Sequence, residues 1–285
     1  MIPIGQILAL ILAIAAPAAA RPSFGSSVSG LRITATAVLP PAPGGNVAGG
    51  CTVIDARTPE GRAVEERGWG VTQEARLGRY AIVSFAGRFT AGGSASCFVE
   101  DGNIGLFEHG RLVAIVHGIG APFEGTGTTT VTPTYVSATG GPGRLRIWGE
   151  SYYPPIADLV ETPTGAAVVP VAAADRWCGG AVSVPNIYDR KIESSRRRLA
   201  QSGWRPVPTS ASAYGEGPFG SARELRRAGV VEVESCSGTG YGVCVFNYRH
   251  ALGATLRVTS AGNDAPRTGF VIDYSVSCPA QQRSR

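Results

Sequence analysis

Six cysteines divide the chain and constrain its fold more than any other feature of the sequence. They are Cys51, Cys97, Cys178, Cys236, Cys244 and Cys278. A zinc site normally needs cysteines two to four residues apart or cysteines with nearby histidines, whereas the closest two here are eight residues apart and have no matching second pair. The even number therefore predicts three disulfides, formed in an oxidising compartment.

An apolar leader at residues 1–20 predicts that the chain is exported. The leader ends in Ala-Ala-Pro-Ala-Ala-Ala before Arg21, which places small residues where a signal peptidase requires them. The alternative is an uncleaved membrane anchor, but Pro3 and Pro17 interrupt a run that would need about 20 consecutive apolar residues to span a bilayer. We expect cleavage, no transmembrane segment in the mature chain, and a periplasmic or secreted location.

The mature chain is long enough for two domains, and its charge is unevenly distributed between them. Residues 178–285 carry 14 basic and eight acidic side chains, whereas residues 21–177 carry 12 basic and 13 acidic ones. We predict a β-rich domain over 21–177 and a smaller, basic domain over 178–285. The positive field belongs to the second domain.

Short segments typical of strands follow one another through the first domain, without a long helical period between them. The turn Glu108-His109-Gly110 predicts a hairpin in which Gly110 takes the left-handed conformation. Gly118–Thr132 is expected to be a loop. The fold class that follows is all-β, a sandwich or a barrel. The predicted strands are Leu31–Leu39, Arg79–Phe85, Asn103–Phe107, Arg111–His117, Thr129–Val136, Arg144–Trp148 and Ala166–Val171.

The second domain changes character and predicts a small α+β fold with an antiparallel sheet. Apolar residues share one face of a helix expected over Tyr188–Ser202, and Gly203 ends it. Ser221 and Glu224 form a capping-box pattern that begins a second helix, which ends at Gly229. The strands predicted to follow are Val230–Glu234, Cys244–Tyr248, Leu256–Thr259 and Phe270–Val276.

Domain membership suggests how the cysteines pair. Cys51 and Cys97 are the only cysteines of the first domain. In the second, Cys236 and Cys244 bracket a short glycine-rich connection, and Cys178 and Cys278 lie at the two ends. Six cysteines allow 15 connectivities, so this assignment depends on the domain division.

The last hundred residues carry a recurring set of motifs. They are Gly203-Trp204-Arg205-Pro206 after the first helix, the run Glu232-Val233-Glu234-Ser235-Cys236-Ser237-Gly238-Thr239-Gly240, then Cys244 and the closing Cys278. This stretch resembles short exported proteins of unknown function in proteobacteria. The resemblance implies the extent of the domain and its disulfides, and it implies no catalytic role.

Three patterns could indicate catalysis or nucleotide binding, and each has a simpler structural explanation. Leu112–Pro122 looks like the strand and His-Gly turn of an α/β-hydrolase, but no Gly-x-Ser-x-Gly nucleophile motif occurs in the chain. Ser237–Gly242 lacks the Gly-Lys-Ser or Gly-Lys-Thr ending of a phosphate loop and precedes a strand. The histidines, His109, His117 and His250, have no sequence neighbour that completes a catalytic pair, although distant residues can converge in a fold.

An arginine cluster is the remaining candidate site, as a basic face for phosphate or carboxylate groups. In an exported protein such groups belong to anionic components of the cell envelope, and the export signal makes nucleic acid a poor fit. The alternative is a solvated helix face. The residues are Arg190, Lys191, Arg196, Arg197, Arg198, Arg226 and Arg227, with Arg223 beside them.

The sequence as a whole predicts an exported, non-catalytic binding or interaction protein of the bacterial envelope. Its partner is an unidentified protein or an anionic envelope component, and we expect neither a cofactor nor a metal. The alternative is an envelope hydrolase whose site is assembled from residues remote in sequence. A hydrolase would show a histidine or carboxylate within hydrogen-bond reach of a hydroxyl or a second carboxylate in a pocket.

Overall fold

A computed structural model describes most of the chain outside the leader. The leader at residues 1–20 and Cys51 lie outside the described residues. The described ranges are 22–43, 54–91, 97–119, 131–149, 153–209, 221–237, 242–262 and 269–279.

Strands predominate, and the helices are short. In the first part of the chain the elements are β1 (Ser23–Ser26), β2 (Leu31–Ala35), α1 (Pro59–Glu65), β3 (Gly70–Leu77), β4 (Tyr80–Ala86), β5 (Arg88–Ala91), β6 (Cys97–Glu100), β7 (Asn103–Glu108), β8 (Arg111–Gly118), β9 (Tyr135–Ala138), β10 (Arg144–Trp148), β11 (Ala157–Thr162), β12 (Gly165–Val169) and β13 (Ala174–Trp177). In the second part they are β14 (Val182–Pro185), α2 (Ile192–Gln201), β15 (Trp204–Pro206), α3 (Ser221–Arg227), β16 (Val233–Cys236), β17 (Cys244–His250), β18 (Thr255–Ala261) and β19 (Phe270–Ser277).

Two five-stranded sheets form a sandwich in the first part, and no sheet closes into a barrel within the described ranges. One sheet has the order β2-β8-β7-β4-β3 and the other β1-β12-β11-β10-β9. Alternate residues of each strand point to the same face, so Leu145 and Ile147 of β10 meet Leu106 and Val116 of the facing sheet in one buried cluster. The predicted all-β class of this region is confirmed, in its sandwich form.

A short helix that we did not predict, α1, covers the β2-β8-β7-β4-β3 sheet on the face that points away from the other sheet of the sandwich. Thr58 accepts a hydrogen bond from the backbone N–H of Gly61 and is followed by Pro59, the pattern of a helix start. Val64 of this helix packs with Trp69 and Phe85 in a second buried cluster. The Thr-Pro pair was the signal in the sequence, but a helix of seven residues has too few turns to show a helical period.

The predicted hairpin between β7 and β8 is confirmed. His109 and Gly110 both have positive φ, 50° and 76°, and Glu108 pairs with Arg111 across the turn. Two consecutive residues of positive φ match the right-handed twist of the flanking strands.

The second part has a five-stranded antiparallel sheet in which β15, β17, β18 and β19 follow one another and β16 also pairs with β17. One face of this sheet packs against α2 and α3. Leu199 and Leu225 of these helices meet Phe246 and Val258 of the sheet in a third buried cluster. The small α+β architecture expected for this region is confirmed.

Helix α2 begins at Ile192 rather than at the predicted Tyr188. Asp189 has φ of 55°, and its backbone N–H donates to the carbonyl of Val271 at 2.9 Å. The residues before Ile192 therefore pair with β19 instead of forming a helical turn. The helix stop is as predicted, because Gly203 has φ of 85°.

Several strands have different bounds from those predicted. The chain leaves β2 after Ala35, short of Leu39, and β16 begins at Val233 instead of Val230. Of the expected strand Thr129–Val136, the structure shows β9 from Tyr135, and residues 120–130 lie outside the described ranges. Pairing with neighbouring strands sets these ends, and a single-chain pattern does not reveal it.

Two of the predicted disulfides are confirmed, Cys178–Cys278 and Cys236–Cys244. Cys97 is also disulfide-bonded, and its predicted partner Cys51 lies outside the described residues. Such bonds indicate an oxidising, non-cytoplasmic compartment. Within the described ranges, no helix is long and apolar enough to cross a membrane.

The expected domain limit between residues 177 and 178 falls in the turn between β13 and β14, which pair as a hairpin. Trp148 and Trp177, from before this limit, pack with the third cluster. The outer face of β10 thus contacts the second part of the chain directly.

Candidate anion-binding groove

The five-stranded sheet formed by β15–β19 has one face covered by α2 and α3, and its other face is polar. On β17 and β18, Tyr248 and Leu256 point into the core, so their neighbours Arg249 and Thr255 point the other way. The same alternation on β19 directs Ser275 and Ser277 to this open face. The polar residues on the outer side of each strand thus meet on one surface.

An open groove with a volume of about 480 Å³ runs across this face. Its position on a sheet makes its floor rigid, because backbone hydrogen bonds join the strands on which the lining residues stand. The lining residues are Val207, Asn247, Tyr248, Arg249, Thr255, Leu256, Arg257, Ser275 and Ser277.

Arg249, in the lining of the groove, directly faces a second arginine, Arg205, which lies beside the groove on the neighbouring strand. In the register of β15 and β17, Arg205 lies opposite Arg249, and both side chains are exposed. Like charges on opposite residues of an antiparallel pair repel, which costs up to about 1 kcal/mol. Neither guanidinium has a carboxylate partner among the described residues, so their two positive charges remain uncompensated.

The other arginine in the lining of the groove, Arg257, is neutralised. Arg257 Nη2 lies 3.3 Å from Glu234 Oε1, and Asn247 Nδ2 donates to the other carboxylate oxygen of Glu234 at 2.9 Å. Glu234 therefore compensates one arginine and leaves the Arg205–Arg249 pair as the positive end of the groove.

Hydroxyl groups line the rest of the groove. Thr255 lies opposite Arg249 on β18, and Ser277 lies opposite Thr255 on β19. Ser275 lies opposite Arg257 in the neighbouring row. These three hydroxyls make no hydrogen bond to another group in the part of the chain that the structure describes. The disulfide of Cys278, the residue after Ser277, anchors this end of β19 to Cys178.

The structure assigns internal contacts to two of the arginines that the sequence placed on a basic face. Arg196 Nε lies 2.5 Å from Glu232 Oε1, and its Nη2 donates to the carbonyl of Gly229 at 3.0 Å. Glu232 is fully buried and also accepts from the Tyr248 hydroxyl at 3.0 Å. Burial, together with the Glu232 carboxylate, raises the pKa of Tyr248. The sequence could not show this contact, because Glu232 is 36 residues away from Arg196.

Arg226 is likewise turned inward. Its Nη2 donates to the carbonyls of Val233 and Glu234 at 3.2 and 3.1 Å, which attaches α3 to β16. Arg190 donates through Nε to the carbonyl of Asn186 at 3.2 Å and remains exposed. The other predicted members, Lys191, Arg197, Arg198 and Arg227, are exposed. Anion binding by them stays a prediction, and the helices that carry them pack on the face of the sheet opposite the groove.

One histidine does meet a hydroxyl. His117 Nδ1 lies 2.8 Å from the carbonyl of Gly118, which can only accept, so this nitrogen carries the proton. The other ring nitrogen, Nε2, then accepts from the Thr34 hydroxyl at 2.9 Å. The His117 side chain is fully buried on β8, whereas Thr34 is exposed on the edge strand β2. The distance from the Thr34 hydroxyl to His117 Nε2 is that of a nucleophile and its general base, but the His117 ring is not accessible to solvent.

The other histidines have structural contacts. His250 accepts at Nδ1 from the backbone N–H of Leu252 at 3.2 Å, and its ring meets Trp204 edge to face at 5.2 Å. A side chain at Gly203 would come within 2.7 Å of His250 Nε2. His109 occupies its predicted turn.

A buried ion network lies where the sandwich meets the second part. Arg146 of β10 binds Asp158 of β11 through Nε at 2.9 Å and Asp175 of β13 through Nη1 at 2.8 Å. The Tyr274 hydroxyl of β19 donates to Asp175 at 2.5 Å. Burial lowers the pKa of Arg146, but its hydrogen bonds to the carboxylates outweigh this and hold it above the ordinary value. Because all its members are buried, the network is a structural tie and not a ligand site.

The described ranges contain no group of three histidine, cysteine or acidic side chains placed to hold a metal ion. Strands β16 and β17, on either side of the glycine-rich connection, pair with Cys236 opposite Cys244, as predicted. Residues 238–241 of the connection lie outside the described ranges.

Arg205, Arg249 and Arg257 were not predicted from the sequence as site residues. Each stands next to a buried residue in its strand, and that alternation was the available signal. The pairing of Arg205 with Arg249 depends on the strand register across 44 residues of sequence, which no local pattern contains. A comparison of the chain with protein-family models, with curated proteins and with solved structures found no match.

Proposed function

We propose that the protein is an exported, non-catalytic binding protein that uses the groove to bind an anionic component of the bacterial cell envelope. The observation that carries the proposal is the directly opposed, uncompensated pair Arg205 and Arg249. A bound anion would turn their mutual repulsion into attraction for the ligand. Guanidinium groups also present the fork of donors that suits carboxylate and phosphate oxygens.

The charge distribution and the cellular compartment also support this function. The net positive charge of the chain lies in residues 178–285, which contain the groove. The disulfides indicate an oxidising compartment, and the expected signal peptide would direct the chain to the envelope or beyond. The resemblance of this part to exported proteobacterial proteins, which remains an expectation, points to the same place.

An envelope hydrolase remains the second candidate, because the Thr34 hydroxyl donates to His117. A nucleophilic Thr34 would need His117 to pass a proton on to a leaving group, and the burial of the ring opposes that step. Turnover of a test ester that disappears in Thr34→Ala would favour the hydrolase over the binding protein.

Co-sedimentation of the mature protein with insoluble bacterial envelope tests the proposal. We expect binding that weakens as salt is raised and that falls about tenfold or more in Arg205→Gln/Arg249→Gln, because the variant lacks both uncompensated charges. The matched control is Arg67→Gln/Arg111→Gln, which removes the same charge from exposed positions of the sandwich part, away from both the groove and the predicted basic face. Equal losses in the two variants would assign binding to net charge, and no binding by the unaltered protein would contradict the proposal.

A further inference from the structure

We infer that the anionic component is an acidic carbohydrate, with its acid group on Arg205 and Arg249 and its sugar hydroxyls on Thr255, Ser275 and Ser277. The inference rests on the proposed function and names the ligand class of the same groove. It goes beyond charge, because arginines alone would accept any anion.

The arrangement of donors supports a ligand that is both charged and rich in hydroxyls. Arg205, Arg249, Thr255 and Ser277 stand opposite one another on four successive strands. Neighbouring strands are about 4.8 Å apart, so this row offers a polar group at regular intervals leading away from the positive end. A hydroxyl both donates and accepts, and the hydroxyl groups of a sugar need that combination.

The apolar surface of the groove is too small for a lipid chain. Tyr248 and Leu256 are 2% and 1% exposed and point into the core, which leaves Val207 as the accessible apolar residue among the lining positions. The Tyr248 ring, the aromatic ring among those lining residues, is buried with its hydroxyl on Glu232. A lipid tail would lack an apolar slot, and a nucleobase would lack a ring on which to stack.

The location on the face of the sheet also disfavours an extended peptide. A peptide that binds by strand addition needs the unpaired backbone groups of a sheet edge. The groove crosses β17 and β18, whose backbones pair on both sides. Its side chains, and not its backbone, are available to a ligand.

Fluorescence titration of the mature protein with three probes tests the inference. Oligogalacturonate is an acidic sugar polymer, poly-glutamate carries carboxylates without sugar hydroxyls, and a neutral glucan oligomer carries hydroxyls without acid groups. We expect oligogalacturonate to bind at least tenfold more tightly than either control polymer, because it alone matches both parts of the groove.

Two variants separate the contributions of charge and hydroxyls. Thr255→Val/Ser277→Ala is expected to weaken oligogalacturonate binding about tenfold and to leave poly-glutamate binding unchanged, since two neutral hydrogen bonds are lost. The matched control Thr90→Val/Thr164→Val removes two exposed hydroxyls outside the groove and should change neither. A thermal melt of each variant checks that it is folded.

The failure of this inference is distinct from failure of the proposed function. If poly-glutamate binds as tightly as oligogalacturonate, and its binding depends on Arg205 and Arg249, the inference of a carbohydrate ligand is wrong. The proposed function of anion binding is then retained. If the neutral glucan binds as tightly as oligogalacturonate, the inference that the ligand carries an acid group is wrong. No arginine-dependent binding of any probe or of envelope would overturn both.

Discussion

At the scale of single residues, Arg205 and Arg249 carry the proposed anion-binding surface. Their strands are held together by the backbone, so the two guanidinium groups stay neighbours although they repel. Two other arginines of this domain have a carboxylate partner, Glu232 for Arg196 and Glu234 for Arg257. Arg205 and Arg249 have none among the described residues, and strand register also places them directly opposite each other.

Replacing one member of this pair should stabilise the free protein. Arg205→Thr removes the repulsion and puts a β-branched residue in a strand, so we expect the free energy of unfolding to rise by about 0.2–1 kcal/mol at low salt. The gain should shrink as salt is added, because salt screens exposed charges. Urea unfolding measures it.

The control for this effect is Arg176→Thr. Arg176 is exposed on β13 and lies opposite Ser183, so it has no like charge across the strand pair. A salt-dependent gain of the same size in Arg176→Thr would show that the repulsion between Arg205 and Arg249 is not the cause.

At the scale of elements, α1 depends on a carboxylate from the strand that follows it. Glu74 of β3 accepts from the Thr58 backbone N–H at 3.0 Å, from the Thr58 hydroxyl at 2.5 Å and from the Arg57 N–H at 3.1 Å. Desolvation raises the pKa of Glu74, but these hydrogen bonds, with Thr58 first, outweigh it and lower the pKa below 4.5. The helix start is thereby tied to the sheet.

The lowered pKa of Glu74 gives a pH dependence with a definite sign. The folded state holds the ionised form better than the unfolded chain does, so its contribution to stability is complete above pH 4.5 and is lost as the pH falls through the folded-state pKa. Glu74→Gln should flatten the loss of stability between pH 5 and about pH 3, as urea unfolding at several pH values would show. Glu60→Gln, a partly exposed site in the first turn of the same helix, is the control. An unchanged slope in Glu74→Gln would contradict the assignment.

At the scale of the whole molecule, one buried arginine joins the sandwich to the rest of the fold. Arg146 is 2% exposed, and it holds Asp158 of the sandwich together with Asp175 of the β13–β14 hairpin, which Tyr274 of β19 also binds. Its guanidinium also lies 5.0 Å from the centre of the Tyr188 ring. The Cys178–Cys278 disulfide adds a covalent link between the same hairpin and β19.

Removing Arg146 should destabilise the fold strongly. Arg146→Met leaves Asp158 and Asp175 buried without their main partner, and we expect a loss of about 3–5 kcal/mol in the free energy of unfolding. Arg144→Met is the matched control, because Arg144 binds the same Asp158 at 2.7 Å but is 33% exposed, and it should cost less than about 1 kcal/mol. Urea unfolding compares the two. Similar losses in both variants would show that the burial of Arg146 does not decide its contribution.

The parts of this protein that were predictable from sequence are those set by local chemistry. The His109-Gly110 turn, the helix stop at Gly203 and the β-rich class follow from residue conformations and alternation, which act over a few positions. The cysteine pairs Cys178–Cys278 and Cys236–Cys244 were predicted from the division of the chain into domains, and the structure confirms both.

Only the tertiary structure shows the groove and which arginines of the predicted cluster form internal contacts. Helical spacing placed Arg196 on a basic face, but the fold brings Glu232 beneath it and makes it a structural residue. Arg205 and Arg249 looked like isolated charges in separate strands, and strand register made them neighbours. Local sequence determines how a segment of the chain bends and which side of it is polar, whereas pairing between distant strands determines which polar groups share a surface.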